Sequence, residues 1–229
     1  MKLVLFDVDG TLLSASGAGR RSLDRAMRDV YGTSGPIDSY DFRGGTDPQI
    51  IRDLLGRAGL DEAAIAAGET AVYRRYAELL EAEIGDGRGV TLYPGVRELV
   101  ETLAARDDVI VGLLTGNIEP GARIKIRPTG LWPLFRLGAF GSDHADRNCL
   151  PGVAAGRAEE LMGRAFLGPD TVIIGDTPRD IGCARAFGAM AIAVATGWHS
   201  LEDLAVHRPD HAFTDFSDQG SAIAAMLAR

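Results

Sequence analysis

The chain has 229 residues, a formal net charge of −8 and an apolar fraction of 46%, enough for a real core in one large domain or two unequal ones. That acidity, with no basic run beyond the pairs Arg20-Arg21 and Arg74-Arg75, argues against a nucleic-acid partner. With only Lys2 ahead of the first apolar run and no apolar stretch approaching about 18 residues, neither a secretory leader nor a membrane partner is expected, and a cytosolic protein is.

Leu3-Val4-Leu5-Phe6 predicts a buried strand that ends in Asp7-Val8-Asp9-Gly10-Thr11. Alternation along an extended strand sends Asp7 and Asp9 to one side and Val8 to the other, so two like charges meet unless something neutralises them. The economical neutraliser is Mg²⁺, a hard cation commonly bound by one or two carboxylates plus substrate phosphate. Gly10 and Thr11 allow a sharp exit from the strand.

Ser14 to Gly19 is small and flexible, and helical patterns fill much of the stretch to Ile84 with no convincing strand. Leu23, Ala26, Met27 and Val30 make one apolar face, Ile50, Ile51, Leu54 and Leu55 a second, and Val72, Tyr76, Leu79 and Leu80 a third. Between the first two lies Asp41-Phe42-Arg43-Gly44-Gly45-Thr46-Asp47-Pro48, a polar loop ahead of a helix. Arg43 there can bind a substrate carboxylate or second anionic group with Thr46 beside it; equally, Thr46 or Asp47 caps the helix and Arg43 is solvated. Gly85 to Gly89 reads as a return linker, and strand-helix alternation resumes from Tyr93-Pro94-Gly95.

A second apolar run, Val109 to Leu114, ends in Thr115-Gly116-Asn117. A hydroxyl followed by glycine suits a phosphate oxygen, the side chain donating one hydrogen bond and the backbone others. Cys149 and Cys183 show neither metal-ligand spacing nor a disulfide framework and read as free buried thiols. The third run, Thr171 to Gly175, ends in Asp176-Thr177-Pro178-Arg179-Asp180, with Pro178 where the first turn of a helix tolerates it. The fold class is therefore α/β: a Rossmann-like parallel sheet with helices on both faces, plus a small all-helical insert after the first strand.

Asp-x-Asp-Gly-Thr at Asp7, Thr-Gly-Asn at Thr115 and Gly-Asp-x-x-x-Asp at Gly175, each after its own apolar strand and in this order, resemble the haloacid dehalogenase superfamily. The resemblance covers the whole chain. It implies a core of residues 1–14 and 90–229 and a mobile helical cap of residues 15–89 that closes over the site and contributes specificity. It also implies Asp7 as nucleophile, Asp9 as general acid and base, and Mg²⁺ held by Asp7, Asp176 and the backbone carbonyl of Asp9, with Asp180 in support. Thr115, Gly116 and Asn117 would bind phosphoryl oxygens.

One station departs from the family's pattern: no Lys-Pro follows the threonine. Arg147, after a short extended segment from Leu137 to Gly141, stands in a comparable place and keeps the charge, although arginine is not equivalent to lysine. Lys125 is the other candidate; six residues beyond Glu119 it lies about 9 Å up a helix, at the limit of its reach. Arg147 is preferred, and Lys125 is expected on the surface. The implied activity is a Mg²⁺-dependent phosphatase for a small phosphorylated metabolite, resembling phosphoglycolate phosphatases and acting as a monomer or homodimer. A phosphosugar mutase or a non-catalytic binding protein on the same scaffold are the alternatives, the insert offering a mutase no histidine.

Overall fold

In the computed structural model, which describes residues 1–228, the first strand is β1, Lys2–Phe6, and four of its five side chains are buried. β2, Leu13–Ser14, leads out to the helices α1, Ala18–Tyr31, α2, Asp47–Arg57, and α3, Glu62–Ile84. β3, Thr91–Leu92, leads back and pairs antiparallel with β2, so the helical segment leaves and re-enters the sheet through two adjacent connections. The remaining elements are α4 (Val96–Ala104), β4 (Val109–Thr115), α5 (Glu119–Ile126), β5 (Leu137–Phe140), α6 (Leu150–Met162), β6 (Thr171–Gly175), α7 (Pro178–Phe187), β7 (Met190–Val194), α8 (Leu201–Ala205), β8 (His211–Phe213) and α9 (Gln219–Leu227).

Six strands form one parallel sheet in the order β5-β4-β1-β6-β7-β8. A strand covered on both faces reads as a continuous apolar run, and all seven residues of β4 are buried. Val4, Phe6, Val111, Leu113, Val172 and Ile174 point to the face that packs on α4, α9 and the helical segment. Leu3, Leu5, Ile110, Leu114 and Ile173 point to the face under α6 and α7. Burying each such side chain contributes about 1.5–3 kcal/mol, so a one-residue slip of β1 would reverse both faces at once.

β1 lies between β4 and β6, and the chain winds away from it in opposite directions. Ligands in open parallel sheets bind beyond the carboxyl ends of strands at such a switch point. Here those ends carry Asp7, Thr115 and Asp176.

Residues 15–89 contain three helices and a short 3-10 turn and no strand. α1 and α3 pack together through Leu23, Met27, Val72, Tyr76 and Leu80, all buried, whereas Val30 and Leu79 are only partly covered. α3 starts on an Asp61 cap that accepts from the Ala64 N–H at 2.8 Å. One expectation needs correction: Cys183 is buried, but Cys149 ends a short 3-10 turn at the surface and is exposed.

Candidate active site

Asp7 follows directly on β1, its N–H donating to Ile174 O at 2.9 Å and its side chain 6% exposed. The chain then turns sharply at Gly10, where φ is +88° and a Cβ would lie 2.3 Å from Asp176 Oδ2. Only glycine permits both the conformation and that approach. Thr11 closes the turn, its hydroxyl donating to Asp176 Oδ1 at 3.3 Å.

Asp7, Asp176 and Asp180 each bring a carboxylate oxygen within 4.8 Å of the others, and all three are buried. Asp180 is fixed by a capping box at the start of α7, accepting from the Thr177 N–H at 3.0 Å and the Thr177 hydroxyl at 2.6 Å. Arg147 reaches into this group. Its Nη2 lies 3.2 Å from Asp7 Oδ1 and donates to Asp180, and its Nε–H finds no acceptor among the described residues. Burial pushes the Asp7 carboxyl up to about 6 against the pull of Arg147. Burial, then the charges of Asp180 and Asp7, push Asp176 up to about 8. Although burial opposes the Arg147 charge, Asp180 and Asp7 hold its pKa above the ordinary value.

The second cluster is built on Asp9, which lies outside that trio with its side chain 45% exposed. Lys125 Nζ donates to Asp9 Oδ2 at 2.6 Å and to Asn117 Oδ1 at 2.6 Å. Asn117 Nδ2 donates to Asp9 Oδ2 at 2.8 Å and to Thr115 Oγ1 at 2.8 Å. Lys125 is therefore not on the surface, and at 4% exposure it is as enclosed as Arg147. The reach is explained by side-chain direction: helical side chains lean toward the helix N-terminus, so Lys125 folds back along α5 toward Asn117.

The loop before α2 sits on this cluster. Thr46 accepts from the Gln49 N–H at 3.3 Å as the cap of α2 and donates to Ala145 O at 2.6 Å, so its hydroxyl is already occupied. Asp47 donates its N–H to Gly116 O at 2.7 Å, and its Oδ2 accepts from the Ile118 N–H at 2.8 Å. A Cβ on Gly116 would lie 1.9 Å from Gly45 O. Arg43 turns instead to Asp41 at 2.7 Å, in a pair 43% and 57% exposed. The structure thus brings Asp7, Asp9, Thr115, Gly116, Asn117, Lys125, Arg147, Asp176 and Asp180 together, seats Thr46 as a cap, and leaves Arg43 in a surface pair. Asp47 and Tyr76 are buried beside the cluster without having been singled out as site residues; the only signal for Asp47 was its place in the loop at 41–48.

Four carboxylates, Asp7, Asp9, Asp176 and Asp180, face two cations, Arg147 and Lys125. That excess of negative charge, held in an all-oxygen donor set where two carboxyls resist ionisation, fits a hard divalent cation. Asp7, Asp176 and Asp180 are the carboxylates close enough to one another that they could hold one.

A model of the haloacid dehalogenase-like hydrolases matches residues 1–188. A phosphoglycolate phosphatase of Synechococcus elongatus is 28% identical over 229 residues, covering 99% of each chain. The crystal structure of a hydrolase from Pseudomonas syringae superposes with a TM-score of 0.72 at 17% identity, covering 100% of this chain and 99% of that one. CbbY from Rhodobacter sphaeroides, solved in complex with phosphate, superposes with a TM-score of 0.68 at 20% identity over 96% of both chains.

Proposed function

The chain belongs to the haloacid dehalogenase-like hydrolases, and from that premise we propose that it is a Mg²⁺-dependent phosphatase of a small phosphorylated metabolite, phosphoglycolate or a sugar phosphate, acting through an aspartyl-phosphate on Asp7. That it is a phosphatase, a hydrolase of phosphoric monoesters, follows from the family and its relatives. The observation that carries the finer reading is the buried Asp7 carboxylate 3.2 Å from Arg147, beside Asp176 and Asp180.

A carboxylate in this position attacks phosphorus in line, and the departing oxygen leaves toward Asp9, the second carboxylate of the same turn. Asp9 gives that oxygen its proton and later takes one from the attacking water. Thr115 and the Gly116-Asn117 backbone face the phosphoryl oxygens, and the unpaired Arg147 Nε–H adds a charged donor. When bound by Asp7, Asp176 and the Asp9 carbonyl, with Asp180 alongside, Mg²⁺ supplies further charge neutralisation. Residues 15–89 act as a cap that excludes water once seated on the core.

Among the described residues no helix is long and apolar enough to cross a membrane. Two unpaired cysteines agree with a cytosolic enzyme working as a monomer or homodimer. The test is a screen of phosphorylated metabolites, phosphoglycolate and sugar phosphates among them, for phosphate release with Mg²⁺. One or a few should be hydrolysed well; no release from any member would overturn the reading.

A further inference from the structure

Ile118, at the N-terminus of α5, offers no side-chain acceptor to the first turn, whose Glu119 N–H donates to Ser142 Oγ at 3.3 Å. The N–H of Ile118 itself is held from the helical segment. Asp47, in the first turn of α2, places Oδ2 2.8 Å from the Ile118 nitrogen, where a carboxylate also complements the positive end of α5. The same residue donates its N–H to Gly116 O at 2.7 Å, so the peptide groups on either side of Asn117 are both held by Asp47.

Resting on the phosphatase reading, we propose that Asp47 is a positioning residue of the reaction: it sets the Thr115–Ile118 loop and the first turn of α5 in their working geometry, and does so only while the helical segment is seated on the core.

Asn117 is the link between Thr115 Oγ1 and Asp9 Oδ2, and Lys125, carried by α5, holds both Asp9 and Asn117. A loop displaced at Gly116 and Ile118 therefore misplaces the phosphoryl-binding hydroxyl and both partners of the acid at once. The helical segment also roofs Lys125. A Cβ on Gly19 of α1 would lie 3.0 Å from Lys125 Nζ and 3.4 Å from the Tyr76 hydroxyl of α3. Asp47 itself is 8% exposed, and its neighbour Thr46 is pinned to Ala145 O, so the clasp has little freedom once formed.

The test uses the full chain, the best substrate from the metabolite screen and saturating Mg²⁺. Asp47→Ala removes the acceptor. Asp47→Glu keeps the charge but displaces it, and Asp47→Asn keeps an acceptor oxygen in place. The Ala and Glu variants should lower kcat on the order of 10- to 10²-fold with KM changed less than about threefold, while Asn stays within about threefold of the parent. A residue that serves stability alone would lower Tm and leave kcat per folded molecule unchanged, which would overturn the proposal, as would a loss confined to KM. If Asp47→Ala fails to fold, wild-type kcat in Asp47→Glu overturns it just as well. Should the parent chain release no phosphate, the phosphatase reading fails separately. Amide exchange then decides the clasp: Ile118 should lose protection in Asp47→Ala or Asp47→Glu while β4 keeps it, and unchanged protection at Ile118 would contradict the assignment.

Discussion

Lys125 Nζ lies 2.6 Å from Asp9 Oδ2, with the lysine side chain 5% exposed, so the two buried cations of the site divide between its two leading carboxylates. Arg147 takes Asp7 and Lys125 takes Asp9.

Both cations should therefore be needed. Arg147→Ala should lower kcat on the order of 10²-fold or more, and Arg147→Lys should recover part of the loss, because charge returns without the bidentate geometry. Lys125→Ala should cost on the order of 10-fold, since it leaves Asp9 and the buried Asn117 Oδ1 without the ammonium that both accept from. Steady-state kinetics of the three variants check this. A Lys125→Ala enzyme with the parent's kcat would return Lys125 to a packing role.

The acid groups make stability depend on pH in a definite direction. Asp176 at about 8, and Asp7 and Asp47 at about 6, are raised above their unfolded value of 3.8, so the folded chain holds extra protons between these limits. Stability from a raised carboxyl is present below the unfolded pKa and is lost as pH rises through the folded one. The carboxyls lowered by exposed partners, such as Asp108 and Asp203, act below this window. Tm of chelator-treated protein should accordingly fall from pH 5 to pH 8, and Mg²⁺ should raise it more at pH 8 than at pH 6. A chelated Tm that climbs across the window would contradict the assignment of the buried acids.

Much of this was legible because it lies close in sequence. The apolar runs at Leu3, Val109 and Thr171 are strands buried on both faces, and each ends in the residues that the site uses. The long-range part was less legible. Spacing along α5 gave the rise to Lys125 but not the backward lean of its side chain, which decides that it reaches Asp9. The loop at 41–48 was visible as polar and glycine-bearing, yet which of its side chains turns inward depends on contacts with Gly116 and Ala145, about 70 and 100 residues away. Those contacts send Asp47 inward and leave Arg43 to its neighbour Asp41.

At Gly116 the loop after β4 packs directly against the backbone of the loop before α2. A methyl group there would lie 1.9 Å from Gly45 O and 3.0 Å from Thr46 Cα, backbone atoms that cannot swing aside. Gly116→Ala should therefore reduce kcat/KM on the order of 10-fold or more by holding the cap loop off the core. Gly152→Ala on α6, where a Cβ meets nothing within 4 Å, should leave kinetics unchanged and stabilise by about 0.4–1 kcal/mol. Equal activity in the two variants would show that the loop does not need to seat.

Arg43→Ala should change kcat/KM by less than about threefold, because a pair this exposed contributes about 0–1 kcal/mol and the guanidinium is spent on Asp41. A tenfold rise in KM would mean that Arg43 leaves Asp41 for the substrate.

The most direct measurement is phosphate release by Asp7→Asn beside the parent chain, with Mg²⁺ and the best substrate, after circular dichroism has shown the same fold. The amide keeps the volume of Asp7 but lacks the attacking oxygen, so release should fall to background while the parent turns over. Near-normal turnover by folded Asp7→Asn would contradict the assignment of Asp7 as nucleophile.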